Sequence, residues 1–235
     1  MSGFNVNILT LFPDMFPGPL GDGVTGRALD QDLWALSATN IRDFSTDNYR
    51  TVDDTPFGGG AGMVMKPDIL ESALDSIPTV GRLIYLSPRG RVLDQKLAHE
   101  LGREENLTLL CGRYEGVDQR FLDAYQVEEI SIGDYVLSGG ELAAMVLIDS
   151  CLRLIPGVVG NENTTSEESH ENGLLEYPQY TRPAVWVDKK GTEHPVPAAL
   201  TSGHHENIRK WRKQQSEALT EEKRPDLWAL YDQKS

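Results

Sequence analysis

The sequence predicts an α/β domain built on a mainly parallel sheet, followed by a smaller helical domain. Three observations carry this. Apolar, β-branched runs alternate with helical patterns over the first 160 residues, and such alternation marks a parallel sheet. Residues 161–172, NENTTSEESHEN, hold four glutamates and no large apolar side chain, which is a linker composition. Beyond them come a proline-rich stretch and two helical patterns.

Taken in order, strands are expected near 5–11 (NVNILTL), 33–41, 82–87 (RLIYLS), 106–111 (NLTLLC) and 127–132. Helices are expected near 66–77, 92–104, 117–125 and 140–154. The last carries Leu142, Met145, Val146 and Leu152 as a helical stripe. Two further helices are expected near 205–219 and 225–232. The second opens with Pro225-Asp226, and proline suits a first helical turn, where its missing N–H has no partner to lose. The division is therefore 1–160, a flexible linker at 161–172, and a helical domain at 173–235. There is no internal repeat.

The chain has 235 residues, long enough for a core that needs no disulfide staple. Hydrophobic residues make up 39% and charged residues 25%, which excludes a disordered or collagen-like chain. No apolar run approaches the roughly 18 residues of a membrane span. MSGFNVNILTLF lacks a basic region ahead of its short apolar stretch, so no signal peptide is expected. Two cysteines, Cys111 and Cys151, exclude a disulfide framework and a cysteine-rich zinc site. A reducing cytoplasm is the expected compartment. Net charge is −14, which excludes a general basic nucleic-acid coat. The charge is uneven: residues 1–160 hold 12 Lys/Arg against 23 Asp/Glu, and residues 161–235 hold 10 against 13. The second part contains the cluster Arg209-Lys210-x-Arg212-Lys213. Binding of a polyanion through such a patch is strongly salt-sensitive.

The residues that carry chemistry cluster at strand ends. Leu86-Ser87-Pro88-Arg89-Gly90 follows one expected strand, and Cys111-Gly112-Arg113-Tyr114-Glu115-Gly116 follows the next. Ile132-Gly133-Asp134-Tyr135-Val136-Leu137-Ser138-Gly139-Gly140 follows a third and opens a helix. Ligands of α/β folds bind beyond the carboxyl ends of strands. Three such loops rich in backbone donors and acceptors suit a nucleoside-like ligand held by its edges; three ordinary turns are the competing reading. Phe57-Gly58-Gly59-Gly60-Ala61-Gly62 lacks the Gly-Lys-Ser/Thr ending of a P-loop. Arg153 stands four residues after Asp149, either as its helical partner or as a cation facing an anionic reactant. Glu162, Glu167, Glu168 and Glu171 lie in the linker; one that folds over a substrate can act as general base. The five histidines show no metal-ligand spacing, and there is no GxSxG signature. On the stretch around Trp211, Arg and Lys side chains are natural phosphate contacts.

Longer motifs then stand out: NILTLFPDMF (7–16), DDTPFGGGAGMVMKPD (53–68), YLSPRG (85–90) and CGRYEGVDQR (111–120). They continue with SIGDYVLSGGELAAMVLIDSCLRLIPGV (131–158), GLLEYPQYTRP (173–183) and SGHHENIRKWR (202–212). In this order they resemble the bacterial tRNA (guanine-N1)-methyltransferases of the SPOUT class over essentially the whole chain.

The resemblance implies a deep trefoil knot in the N-terminal domain, against the usual absence of knots. It implies S-adenosyl-L-methionine bent in that knot. The matching positions are Tyr85, Leu86, Ser87, Pro88, Gly112, Tyr114, Gly116, Ser131, Ile132, Gly133, Asp134, Tyr135, Val136, Leu137, Gly139 and Gly140. It implies methyl transfer to N1 of guanine 37 of tRNA, beside the anticodon, which guards against frameshifting. The family's base is an aspartate; Glu168 holds that position here, with Glu167 beside it. His170 replaces a usual phenylalanine. Arg153 matches the catalytic arginine. Asp53, Pro56, Phe57 and Gly58 match the region that reads the preceding guanine, and Arg209, Lys210 and Arg212 would hold the tRNA backbone. A homodimer is implied, each site completed by the partner's linker and C-terminal domain, so that the linker orders only over tRNA. Magnesium is associated with the family, though no dedicated metal cage is visible. A cofactor-sensing RNA-binding protein without turnover, and a SPOUT enzyme with another RNA target, are the alternatives.

Overall fold

The first unit runs β1 (Phe4–Thr10), α1 (Gly23–Asp30), β2 (Trp34–Asn40), β3 (Asp53–Asp54), β4 (Val64–Met65), α2 (Pro67–Asp75), β5 (Arg82–Val92), α3 (Gln95–Leu101), β6 (Asn106–Leu110), α4 (Gln119–Ala124), β7 (Glu128–Ser131) and α5 (Glu141–Leu152). These assignments come from a computed structural model, which describes residues 3–159, 169–170 and 173–233. The chain divides into two units, Met1–Glu162 and Asn163–Ser235.

Five strands of the first unit form one sheet in the order β2-β1-β6-β5-β7, and every pairing in it is parallel. Side chains alternate between the two faces. On β1, Ile8 joins one core cluster with residues of α1, α3 and α5, while Leu9 joins the other with residues of α2 and α4. The central strand β6 is covered on both sides: Leu107, Thr108, Leu109 and Leu110 are all fully buried. That is why its sequence is a continuous apolar run rather than an alternating one. The buried Thr108 hydroxyl donates to the Val80 carbonyl at 2.6 Å, so its burial leaves no unpaired donor.

The five strands of this sheet fall where the sequence places them, with one informative exception; β3 and β4, a two-residue antiparallel pair, were not expected. β5 does not stop at Ser87 but continues to Val92. Leu86 and Arg91 both pair with Ile130 of β7, so Ser87–Gly90 bulge out of the ladder between them. The bulge returns close to β7: a Cβ on Gly90 would lie 2.3 Å from the Glu129 carbonyl carbon. Because the strand runs on, the helix expected at 92–104 is shortened to α3. Asp94 caps it, accepting the Leu97 N–H at 2.7 Å.

α1, GVTGRALD, is not signalled by the sequence, since its glycines are poor helix formers. Burial of Thr25 and Ala28 and the Trp34 Nε1–H bond to the Thr25 carbonyl (2.9 Å) hold it instead.

The second unit contains β8 (Val185–Val187), β9 (Glu193–Pro195), α6 (Ala198–Thr201), α7 (His205–Lys223) and α8 (Pro225–Asp232). The two long helices agree with the sequence pattern, but the unit is not purely helical. β8 and β9 form an antiparallel hairpin. Asp188 shapes its turn by accepting the Lys190 and Thr192 N–H groups at 2.8 and 3.0 Å, a side-chain turn that a proline-rich stretch conceals. Thr220 on α7 is fully buried and accepts the Leu175 N–H at 2.8 Å. Among the described residues no helix is long and apolar enough to cross a membrane.

Candidate active site

The bulged stretch of β5 and the loops that leave the carboxyl ends of β6 and β7 meet around a cavity of about 230 Å³. The first loop contributes Tyr85 to Pro88, and the second Gly112 to Gly116. The third contributes Ile130 to Gly133 and Tyr135 to Gly140, and Ala143 of α5 completes the wall. This is the crevice where parallel sheets bind ligands.

The loops close because two glycines permit it. A Cβ on Gly112 would lie 2.6 Å from the Tyr85 ring, and one on Gly140 2.8 Å from Cys111 Cα. With neither present, the Gly140 N–H donates to the Gly112 carbonyl at 3.0 Å and ties the third loop to the second. Within the third loop, the Ser131 hydroxyl accepts the Gly133 N–H at 3.2 Å. In the second loop Tyr114 sits at φ 60°, a left-handed conformation that is costly for a bulky residue and is held by its surroundings. Arg42 donates to the Tyr114 hydroxyl at 3.2 Å and to the Arg50 carbonyl at 3.3 Å.

The lining alternates apolar side chains (Leu86, Pro88, Ile130, Ile132, Leu137, Ala143) with loop backbone. Such a slot suits a flat heterocycle: apolar groups cover its faces and main-chain N–H and C=O groups meet its edges. Burial, aided by Glu129, pushes the Tyr85 hydroxyl up, so it stays neutral. Burial also raises the Cys111 thiol well above its usual range, with the charge of Glu141 adding to it. Such a thiol is an inert packing group rather than a nucleophile.

With this geometry in view, the comparisons with known proteins are decisive. The family described as tRNA (Guanine-1)-methyltransferase TrmD matches residues 4–230. The chain belongs to that family. It is 59% identical over 225 residues to the tRNA (guanine-N(1)-)-methyltransferase of Rhodospirillum rubrum, covering 95% of this chain and 92% of the relative. It is 55% identical to the protein of the same name from Bartonella henselae, with 97% of each chain covered. The protein of that name from Pelagibacter ubique is 54% identical, covering 97% of this chain and 98% of the relative.

The positions expected from the sequence can now be placed. All the expected cofactor residues line the cavity except Asp134, which is exposed and absent from the wall. Arg153 is the C-terminal cap of α5, its N–H donating to the Asp149 carbonyl at 3.2 Å; it does not line the cavity. Glu168 lies outside the described residues, as do Glu162, Glu167 and Glu171. Asp53 sits on β3 opposite Met65, and Phe57 is 98% exposed in the turn beyond it. Asp53, Pro56, Phe57 and Gly58 do not line the cavity; the strand opposite Asp53 is tied to it. The Met65 N–H donates to the Gly116 carbonyl, and the Glu115 N–H to the Met63 carbonyl, each at 2.9 Å. The glycine-rich turn is thus hung from the second cavity loop.

Arg209, Lys210 and Arg212 all lie on α7. Lys210 reaches Glu206 at 3.5 Å, and the Arg212 guanidinium stacks 4.6 Å from the centre of the Tyr177 ring. Trp211 packs edge-on to Tyr180. The expected cofactor positions omit five wall residues, Arg113, Glu115, Ile130, Ser138 and Ala143, and Arg42 at the rim. Arg113, Glu115 and Ser138 were visible inside the loop motifs read at the strand ends; Arg42 carries no local signal.

Proposed function

We propose that the chain transfers a methyl group from S-adenosyl-L-methionine to N1 of guanine 37 in tRNA. The observation that carries this is the cavity between the β5 bulge and the loops after β6 and β7, in a chain of this family. Its apolar walls, loop backbone and close glycines fit an adenosine. Bound there, S-adenosyl-L-methionine supplies an activated methyl group on its sulfonium. The residues that would hold it are Leu86, Ser87, Gly112, Tyr114, Ile132, Leu137 and their neighbours in the wall.

The chain's own work is on the guanine. Guanine N1 carries a proton and is a poor nucleophile at neutral pH. In this reading Glu168 takes that proton, and Arg153 stabilises the negative charge that builds on O6. Asp53, Pro56, Phe57 and Gly58 contact the neighbouring base. Arg209, Lys210 and Arg212 hold phosphates, and Lys213 extends the same basic stretch. Residues 1–160 form the cofactor domain, 161–172 the linker and 173–235 the tRNA-binding domain.

A deep trefoil knot belongs to this reading. Its support is the family to which the chain belongs. So does a homodimer with its site at the subunit interface. Leu142 and Val146 on α5 are 54% and 49% exposed one turn apart, beyond the exposed Tyr135 and Val136 of the loop that leads into the helix. A helix apolar on its outer face needs a cover. The location is cytoplasmic, where tRNA is modified, and the modification guards the reading frame. Among the described residues no group of three or more His, Cys, Asp or Glu side chains is placed to hold a metal ion, so no residue is assigned to magnesium.

The test is transfer of labelled methyl from S-adenosyl-L-methionine to an unmodified tRNA transcript, beside a transcript with adenine at position 37. Transfer to the first alone, mapped to N1, is expected. Transfer to both would point to another RNA target. Binding of cofactor and tRNA without product would point to a sensor.

A further inference from the structure

We propose that Arg113 and Glu141 are positioning residues whose ion pair locks the third loop over the cavity and sets its affinity for S-adenosyl-L-methionine. The proposal rests on the reading of the cavity as the cofactor site.

Arg113 lies in the second loop and lines the cavity. Its Nε donates to Glu141 Oε1 at 3.2 Å, and its Nη2 lies 2.8 Å from Oε2, a close ion pair in which the buried Oε2 takes no hydrogen bond of its own. Its Nη1 donates to the Ser138 carbonyl at 3.1 Å. Its Cζ lies 4.4 Å from the centre of the Phe12 ring, within range of a cation–π contact. Glu141 is the first residue of α5 and only 1% exposed. Its Oε1 also accepts the fully buried Thr10 hydroxyl at 2.8 Å. One ion pair therefore joins the end of β1, the second loop, the third loop and the start of α5. Gly139 makes room for it: a Cβ there would lie 2.2 Å from Arg113 Nε.

Stability does not explain this arrangement. Removing both charges from water costs about as much as their attraction returns, and apolar replacements are often as stable. β1 and α5 are already joined through the core by Ile8, Leu147 and Ile148. What an apolar contact could not do is select one carbonyl of the third loop. That loop needs an anchor: Tyr135 is 54% exposed and Val136 85%. The bond from Arg113 to the Ser138 carbonyl supplies it at the point where the loop turns into the helix.

The experiment is calorimetric titration of S-adenosyl-L-methionine into the wild type, Arg113→Lys, Glu141→Gln and the double variant Arg113→Met/Glu141→Met. Thermal unfolding of each protein without ligand is measured in parallel. Each single change should weaken binding about tenfold or more, as expected when a wall is misplaced by a fraction of an ångström. Because both singles remove one strut, the double should bind no more weakly than the worse single. The double should regain thermal stability, since its buried charges are gone, without regaining affinity. Affinity that recovers together with the unfolding midpoint would reduce the pair to packing and overturn the proposal. Arg113→Lys keeps the charge but cannot reach Glu141 and the Ser138 carbonyl from separate nitrogens on one rigid plane, so it tests the idea even where another variant does not fold; wild-type affinity in it would also overturn the proposal. A wild type that fails to bind S-adenosyl-L-methionine would instead overturn the cofactor reading beneath it.

Discussion

Adding one methyl group at Gly90 should pull β5 away from β7. The new Cβ would lie 2.3 Å from the carbonyl carbon of Glu129 and 2.4 Å from both its oxygen and the Ile130 nitrogen. All three are backbone atoms, so no side chain can swing aside. Carbon atoms rest about 3.5–4.0 Å apart, so the chains must part by more than an ångström. A ladder built on a spacing of about 4.8 Å cannot stretch so far and keep its hydrogen bonds. Overpacking of this kind costs about 1–3 kcal/mol, and each ladder bond lost adds about 1 kcal/mol. For a unit of this size the sum lowers the unfolding midpoint by about 6–15 °C. The control is Gly59→Ala. Gly59 has φ +78° but nothing within 4 Å, so it costs only the backbone strain, about 1 kcal/mol. Thermal and urea unfolding of both variants decides the matter. Gly90→Ala should lose at least twice what Gly59→Ala loses, and its affinity for S-adenosyl-L-methionine should fall too, because Ser87 and Pro88 line the cavity. A Gly90→Ala midpoint equal to that of the control would refute the close passage of β5 along β7.

Glu168→Ala should cut methyl transfer by about 100-fold or more, the usual worth of a general base, with cofactor binding intact; undiminished single-turnover kinetics would remove it from the mechanism. Arg209→Ala and Lys210→Ala should each weaken tRNA binding uniformly across sequences and lower the salt slope by about 1; an unchanged slope in filter binding would take them out of the interface. Leu142→Asp with Val146→Asp should convert a dimer to a monomer in sedimentation, and a dimer that persists would show that this face is not the contact. Burial raises the Cys151 thiol to about 12, so the native state keeps it protonated after the unfolded chain has released it. Its stabilisation is therefore full below the unfolded thiol range and lost as pH rises toward 12, at up to about 1.4 kcal/mol per pH unit. Urea unfolding at pH 7.5 and 10 should show that loss, and Cys151→Ala should show less of it.

The sequence disclosed most of the sheet and the cavity, and the reason differs between them. The strands were visible because β1, β5, β6 and β7 must bury apolar faces under helices, which forces apolar runs at the expected spacing. The cavity loops were visible because tight turns at strand ends require glycine, serine and proline at fixed places. α1 was hidden because its glycines oppose a helix and only Trp34 and the core hold it. The hairpin of the second unit was hidden because its turn is made by the Asp188 side chain rather than by a glycine pair. Arg42 was invisible because its partner Tyr114 is 72 residues away.

The sequence by itself determined the family, where the five sheet strands lie along the chain and which three segments line the cavity, because periodicity, turn chemistry and long motifs are local. Only the tertiary structure decided how β5 returns against β7 at Gly90, and that Asp134 is left out of the wall while Arg113 is brought in. It also decided that Arg113, Glu141, Thr10 and the Ser138 carbonyl meet in one ion-paired strut. Contacts between residues up to 131 positions apart depend on strand order and on close backbone approach, and neither leaves a periodic mark on the chain.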